Sequence, residues 1–220
     1  YGGFRPGDGL FGTSVIALDV ETGERVWHFQ TVHHDIWNFD NPTAPVLLNV
    51  TVDGQPQPIV VQTTKQGWAY TFNRASGEPI WPIVERPVPA SEVPGERLSP
   101  TQPMPTKPAA YEMQGLTEDD LIDFTPELRA EALEIVQNYR LGPIFNPPIE
   151  RGHASGLRSF VSCPSGASNI FGPTSADPET GILYVSTQRG CRSENIVSGS
   201  DIDLPDDIKT TGTTIADFAV

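Results

Sequence analysis

One short stretch of the sequence concentrates side chains that can do chemistry. Residues 31–46 contain two histidines, two aspartates, two asparagines and a tryptophan. Carboxylate and amide oxygens are the ligands that hard cations prefer, and imidazole and carboxylate groups transfer protons. The stretch therefore predicts a metal or proton-transfer site, while a purely structural role in capping turns stays open. His33 and His34 do not make a zinc motif, because neighbouring side chains on an extended chain point to opposite faces.

An internal repeat predicts the elements that position this stretch. An Asx residue, a glycine four residues later and a tryptophan four residues after that occur twice, 54 positions apart: Asp19, Gly23 and Trp27, then Asn73, Gly77 and Trp81. A partial third copy occupies residues 177–181. Each copy is typical of a β-hairpin whose turn starts at the Asx residue and closes at a glycine with positive φ. Repeats of roughly 40–50 residues built from short strands indicate a β-propeller, here with about three blades and no closed ring.

The rest of the sequence predicts an all-β fold with one inserted segment. The 20 glycines and 22 prolines among 220 residues favour short strands and many turns. Strands are predicted at 14–18, 59–63 and 68–72. Residues 82–110 are predicted to be a proline-rich extended loop, and residues 117–139 a helix with a capping box from Thr117 to Asp120 and an N-cap at Thr125. We divide the chain into blade material with the chemical stretch (1–83), a proline-rich and helical insertion (84–145), and a further blade with an acidic tail (146–220).

Charge and cysteine content narrow the function classes. The net charge of −14 argues against binding nucleic acid, which requires clustered lysine and arginine, and against an anionic membrane surface. Cys163 and Cys191 are equally compatible with one disulfide and with two free thiols. No apolar run approaches the roughly 20 residues that span a bilayer. Because the chain starts at Tyr1 without a methionine, we expect it to be an internal part of a longer precursor, with any membrane attachment outside it.

The chemical stretch resembles a known protein family. Residues 33–40, His-His-Asp-Ile-Trp-Asn-Phe-Asp, are similar to the His-His-Asp-Leu-Trp-Asp-x-Asp stretch of dehydrogenases that depend on pyrroloquinoline quinone (PQQ), in particular the membrane-bound glucose dehydrogenase branch. The Thr-Lys-Gln-Gly-Trp turn at 64–68, the run at 141–148 and the segment at 169–181 match in family order. The resemblance therefore covers nearly the whole chain.

This resemblance implies a fold and a reaction. The fold is an eight-bladed β-propeller with PQQ on its axis and a Ca²⁺, or in some relatives a lanthanide, at the quinone. The reaction is the oxidation of a sugar or alcohol hydroxyl in the periplasm, with PQQ as the hydride acceptor and the metal as a Lewis acid. A quinone or a cytochrome would then take the electrons. Two other interpretations remain: a non-catalytic propeller that binds protein or carbohydrate, and a catalytically impaired relative.

The resemblance also implies which residues bind the cofactor. Lys65 corresponds to the basic residue that hydrogen-bonds the quinone oxygens and stabilises their developing negative charge. Asn169 resembles an asparagine that approaches the quinone, although Ile170 stands where the family has tryptophan. Trp37 is either a cofactor contact or a packing residue, whereas Trp27 and Trp81 are expected to lock blades together in the core.

The predicted catalytic position departs from the family pattern. Asn38 stands where relatives have the catalytic aspartate, and an amide cannot act as a carboxylate base. Asp40 lies two residues further on, which returns a side chain to the same face of an extended segment. Asp40 is therefore the candidate catalytic base and metal ligand, and the impaired interpretation depends on Asn38.

Overall fold

The computed structural model describes residues 1–165 and 174–197 in full and residues 213–217 as backbone. The strands within these residues are β1 (Ser14–Leu18), β2 (Arg25–Gln30), β3 (Val46–Val52), β4 (Gln55–Thr63), β5 (Ala69–Asn73), β6 (Ile83–Pro87), β7 (Thr101–Pro105), β8 (Gly115–Leu116), β9 (Tyr139–Arg140), β10 (Gly142–Pro143), β11 (Ser159–Ser162), β12 (Ser175–Ala176), β13 (Leu183–Tyr184), β14 (Arg192–Val197) and β15 (Thr213–Asp217). A 3₁₀ helix (Glu118–Asp120) and α1 (Pro126–Val136) lie between β8 and β9. Neither helix has the length and apolar character needed to cross a membrane, and the described residues contain no other candidate.

The three copies of the repeat form the same turn. The Asx side chain accepts a hydrogen bond from the backbone N–H two residues later, at 2.9, 3.0 and 2.9 Å for Asp19, Asn73 and Asp177. The glycine four residues on has a φ of 72° or 75° in each copy, and its N–H donates to the carbonyl of the Asx residue. The repeat seen in the sequence is therefore a repeat of structure.

The first two copies pack against each other through Trp27. Its ring centroid lies 5.8 Å from that of Phe72, and its Nε1 donates to the Arg74 carbonyl at 3.1 Å. A Cβ at Gly77 would lie 2.6 Å from the indole, so glycine is needed there for the close approach as well as for its positive φ. Trp27 thus holds the β1–β2 hairpin on the turn of the next sheet.

The antiparallel sheet β3–β4–β5 carries the core. Side chains alternate across β4, with Val60 in a large, mainly aromatic cluster and Ile59 and Val61 in a smaller aliphatic one. The buried members of the larger cluster are Val32, Trp37, Phe39, Val60, Trp68, Tyr70, Phe72, Ile144, Phe145 and Phe160. This cluster supports both the loop after β2 and the turn between β4 and β5.

The proline-rich segment is more regular than the extended loop that the sequence predicts. Strands β6 and β7 pair antiparallel, with Glu85 opposite Pro103 and Pro87 opposite Thr101. Proline is tolerated because each strand of a two-stranded ribbon has an outer edge that needs no N–H donor. The segment is thus a hairpin joined by a long loop.

The predicted helix at 117–139 is two helices. The capping box at Thr117 is present, but the 3₁₀ helix that it starts ends at Asp120, and Leu121 is extended. Thr125 caps α1 through a hydrogen bond from the Leu128 N–H. Thr125 itself is extended because the residue before a proline is disfavoured in the helical region, and this breaks the helix in front of Pro126.

Cys163 and Cys191 form a disulfide, with their Cα atoms 4.6 Å apart. This result decides between the two alternatives that the sequence leaves open. The bridge joins the end of β11 to the start of β14 in a sheet of order β15–β14–β11–β9, in which β9 is parallel to β11.

Candidate active site

A carboxylate within the loop after β2 organises that loop. Asp35 accepts the Trp37 N–H with Oδ1 and the Phe39 N–H with Oδ2, both at 2.8 Å. Burial raises the pKa of the Asp35 carboxyl above its ordinary value, and the two N–H groups oppose that rise. Because its two oxygens accept from backbone N–H groups of its own loop, Asp35 shapes the loop rather than reaching a substrate.

The residues that follow Asp35 lie alternately on a buried face and an exposed face of the loop. Trp37 and Phe39 are buried, whereas Asn38 and Asp40 are exposed. Asn38 has a φ of 62°, in the left-handed region that asparagine and aspartate adopt more readily than other residues with a Cβ. The pair Asn38 and Asp40 therefore projects from one face of the loop, as the sequence predicts.

The turn between β4 and β5 presents Lys65 to this pair. Lys65 Nζ donates to Asp40 Oδ1 at 2.5 Å and to Asn38 Oδ1 at 3.3 Å. The lysine side chain is 8% exposed and the Asp40 side chain 55% exposed. The structure thus brings together three of the residues that the sequence singles out. They are a lysine with a largely buried side chain and two exposed residues whose side-chain oxygens accept its hydrogen bonds.

The two histidines of the loop have different surroundings. His33 Nδ1 lies 2.7 Å from Gln30 Oε1, and its Nε2 lies 3.1 Å from Glu85 Oε1 on β6. His34 is buried and donates from Nδ1 to the Gly7 carbonyl at 2.6 Å. Both rings therefore join the loop to neighbouring segments. Within residues 1–165 and 174–197, no group of three or more His, Cys, Asp or Glu side chains is arranged so that it could hold a metal.

Comparison with known proteins identifies the family. Residues 1–214 match the family described as PQQ: Glucose/ethanol/alcohol dehydrogenase, beta-propeller domain. The chain belongs to this PQQ family. The glycerol dehydrogenase large subunit of Gluconobacter oxydans is 35% identical over 185 residues, covering 82% of this chain and 24% of that protein. The quinoprotein glucose dehydrogenase of Escherichia coli is 30% identical over 227 residues, covering 97% of this chain and 26% of that protein.

The chain spans about a quarter of the length of these two relatives of the PQQ family. Among solved structures, a europium-containing methanol dehydrogenase superposes with a TM-score of 0.50 at 18% identity, covering 88% of this chain and 26% of that one. This likeness shows the fold. The predicted all-β, partial β-propeller with a helical insertion is confirmed, and the described strands close no ring.

The donor set of the site fits the quinone of this family and part of a metal site. PQQ carries quinone and carboxylate oxygens, for which the ammonium of Lys65 is a suitable charged donor. Asp40 and Asn38 offer two oxygen donors of the type that Ca²⁺ takes, although Ca²⁺ binds about six to eight such ligands. The described residues therefore include a cation that would suit the quinone oxygens and a minority of the ligands that a metal would need.

Of the other predicted cofactor contacts, Trp37 lies apart from this cluster, and Asn169 is not among the residues that the structure describes. Trp37 is 1% exposed, with its ring centroid 5.2 Å from that of Phe145, and its Nε1 donates to the Asn146 carbonyl at 2.9 Å. Of the two roles left open for Trp37, this environment favours packing. Asn169 lies outside the described residues, in the stretch between Cys163 and Cys191 that the disulfide closes.

The sequence analysis missed the residues that hold the site from the inserted segment. Gln102 on β7 is fully buried and pairs with the backbone of His33. The hydroxyl of Tyr111 bonds both backbone groups of Thr64, next to Lys65. Neither residue belongs to a motif, and each contacts a partner more than 40 positions away, so no local sequence signal pointed to them.

Proposed function

We propose that the full-length protein oxidises a sugar or alcohol hydroxyl with PQQ as the hydride acceptor and a Ca²⁺ or lanthanide ion as a Lewis acid. The observation that carries this proposal is the convergence of Lys65, Asn38 and Asp40 at one exposed face of the loop. A scaffold that only binds other molecules has no need for a lysine ammonium held between two oxygen donors. Membership of the PQQ family supports the same reaction class.

Each residue of the cluster has a distinct role in this proposal. When bound, PQQ would supply a quinone able to accept a hydride, and the metal would supply a Lewis acid for it. Lys65 hydrogen-bonds the quinone oxygens and stabilises negative charge on them. Asp40 accepts the proton of the substrate hydroxyl and contributes an oxygen to the metal, and its exposure leaves room for both contacts. Asn38 supplies an amide oxygen but no base.

We further propose a periplasmic location and an electron acceptor of the quinone or cytochrome type. The disulfide between Cys163 and Cys191 supports this location, because disulfides persist in oxidising compartments. The net charge of −14 opposes nucleic acid as a partner. Asn169 remains a proposed cofactor contact.

The test uses the full-length protein reconstituted with PQQ and either Ca²⁺ or a lanthanide, with an artificial electron acceptor and a panel of sugars and alcohols. We expect oxidation of at least one hydroxyl substrate. The Asp40→Asn variant should lose this activity and still bind PQQ, because it removes the base and keeps an oxygen in place. Retention of full activity by Asp40→Asn would exclude Asp40 as the base.

A second candidate function is a propeller that binds ligands without oxidising them, and the observation that favours it is the amide at Asn38. The variant Asn38→Asp distinguishes a weakened enzyme from a scaffold. Aspartate tolerates the φ of 62° at this position, so the variant adds a base without straining the loop. A sharp rise in turnover identifies an enzyme impaired by Asn38, whereas no oxidation by the parent or by this variant favours the scaffold.

A further inference from the structure

Residues 101–114 of the inserted segment contact both parts of the site. We call these residues the site clamp. One end of the clamp, on β7, bonds the loop after β2, which bears Asn38 and Asp40. The other end bonds the turn between β4 and β5, which bears Lys65. The clamp thus connects the two segments whose side chains form the cluster.

The β7 end holds the loop through a buried amide. Gln102 accepts the His33 N–H with Oε1 at 2.8 Å and donates from Nε2 to the His33 carbonyl at 2.7 Å. Gln102 is 0% exposed, so water cannot replace either bond. Tyr70 adds a third link, because its hydroxyl lies 2.8 Å from the Pro103 carbonyl and 3.3 Å from the Thr31 carbonyl. The loop is therefore fixed at the position where it leaves β2.

The other end holds the turn through Tyr111. Its hydroxyl donates to the Thr64 carbonyl at 2.6 Å and accepts from the Thr64 N–H at 3.0 Å. Its backbone N–H donates to the Gly67 carbonyl at 2.8 Å, and Gln114 Nε2 donates to the Gln66 carbonyl at 2.7 Å. The clamp thus bonds the residues on both sides of Lys65.

Two details show that this end is a close fit. A Cβ at Gly67 would lie 2.6 Å from Glu112 Cβ, so glycine is needed where the clamp crosses the turn. Burial raises the pKa of the Tyr111 phenol above its ordinary value, and a phenol is protonated at neutral pH even without this rise, so the hydroxyl is a donor to Thr64. The contacts between the clamp and the turn therefore do not depend on pH near neutrality.

We propose that Gln102 and Tyr111 are positioning residues that set where the Lys65 ammonium lies relative to Asn38 and Asp40. The lysine side chain has four rotatable bonds, so an ammonium on a mobile turn would sample many positions. Fixing the turn and the loop on one short segment removes that freedom, which is how residues away from the reacting atoms preorganise a site. The inference rests on the proposed function, since the site so positioned is the proposed quinone site.

The decisive test is a double-mutant cycle in the full-length enzyme between Tyr111→Phe and Lys65→Ala. Tyr111→Phe is compatible with folding, because the Thr64 N–H keeps the Trp68 carbonyl and the Thr64 carbonyl keeps the Gly67 N–H. Alone, it should lower kcat between about 10- and 100-fold and raise the PQQ dissociation constant on the order of 10-fold. In the Lys65→Ala background it should change kcat by no more than about twofold. An equal loss in both backgrounds overturns the proposal.

The control removes a tyrosine hydroxyl elsewhere. Tyr184→Phe, on β13, changes a half-exposed ring outside the clamp. It should leave kcat and the PQQ dissociation constant unchanged. If Tyr184→Phe and Tyr111→Phe have the same effect, loss of a hydroxyl is unspecific and the positioning role is wrong.

Amide hydrogen exchange of the full-length apoprotein tests the clamp without cofactor or turnover. Tyr111→Phe should speed exchange in residues 64–67 and leave residues 31–40 unchanged, and Gln102→Met should do the reverse. Failure of PQQ binding together with this pattern rejects the proposed function and keeps the clamp. Unchanged exchange in an enzyme that binds PQQ and turns over rejects the clamp and keeps the proposed function.

Discussion

Two regions of the chain differ in burial and in how far away in sequence their hydrogen-bond partners lie. The site segments, residues 31–40 and 64–67, contain many buried residues, and key hydrogen bonds connect them to partners far away in sequence: 69 positions for Gln102 with His33 and 47 for Tyr111 with Thr64. The helical segment, residues 117–136, contains no buried residue in either of its helices. The contrast shows that the helical segment, which the sequence predicts from local signals, provides no residue of the site. The site residues lie on irregular loops instead.

The helical segment satisfies its polar groups locally. Asp120 bonds Thr117, three positions away, and the Thr125 hydroxyl accepts the Leu128 N–H. Arg129 reaches back to the carbonyl of Glu118. Because such bonds form without a tertiary partner, this segment should tolerate substitutions that the site segments do not.

The largest loss of turnover is expected from substitution of Lys65. Lys65→Ala in the full-length enzyme removes the proposed donor to the quinone, and turnover should fall on the order of 10²-fold with saturating PQQ. Steady-state oxidation with an artificial acceptor measures the loss. Lys65→Arg, which keeps the charge, should restore part of it. Arg151→Ala, which removes an exposed cation outside the two segments and outside the clamp, serves as the control. Unchanged turnover of Lys65→Ala would disprove the assigned role.

Gln102→Met should destabilise the protein more than any similar change in the helical segment. It keeps the length of the side chain but leaves the His33 N–H and carbonyl without their buried partner, and the free energy of unfolding should fall by about 2 kcal/mol. The matched change Gln137→Met, at the exposed end of α1, should alter it by less than about 0.5 kcal/mol. Denaturant unfolding of the full-length protein compares the two. Equal effects would mean that the two regions do not differ as proposed.

Asp35→Asn should show a pH dependence of a defined sign. Burial raises the pKa of Asp35 in the folded state, so its contribution to stability is largest below the ordinary carboxyl pKa and falls as pH rises through the raised value. The stability of wild type relative to Asp35→Asn should therefore fall as pH rises from about 4 through the raised pKa.

Asp19→Asn provides a control with the opposite sign. The N–H groups of Thr22 and Glu21 hold the pKa of Asp19 below its ordinary value, so its contribution is present above the ordinary pKa and lost as pH falls through the lowered value. Asparagine occupies the equivalent place at Asn73, so the turn is kept. Unfolding of both variants across pH measures the two slopes, and slopes of one sign would contradict the environment assigned to Asp35.

Of the substitutions that remove a hydrogen bond, the one at the N-cap of α1 is expected to have the smallest effect on stability. Thr125→Ala removes the acceptor of the Leu128 N–H and should destabilise the helix by about 1 kcal/mol, with turnover unchanged. Thr125→Ser keeps the hydroxyl and should behave as wild type. A fall in turnover for Thr125→Ala would show that the helical segment supports the site after all.

Features that depend on contacts between near neighbours could be predicted from the sequence. The three Asx turns, with their glycines at positive φ, and the caps at Thr117 and Thr125 form as predicted. Their hydrogen bonds span five residues or fewer, so residue type and spacing are sufficient. The cluster of Lys65 with Asn38 and Asp40 was predicted only through family resemblance, because the spacing of these residues does not bring them together.

Tertiary structure alone decided the rest. The pairing of Gln102 with His33, the bonds of Tyr111 around Lys65 and the disulfide of Cys163 with Cys191 join segments 28 to 69 positions apart. Many residues could close loops of that length, at an entropic cost that changes only slowly with loop length. Which of them meet is set by how the blades and the inserted segment pack, and that packing depends on the whole buried core rather than on any local pattern.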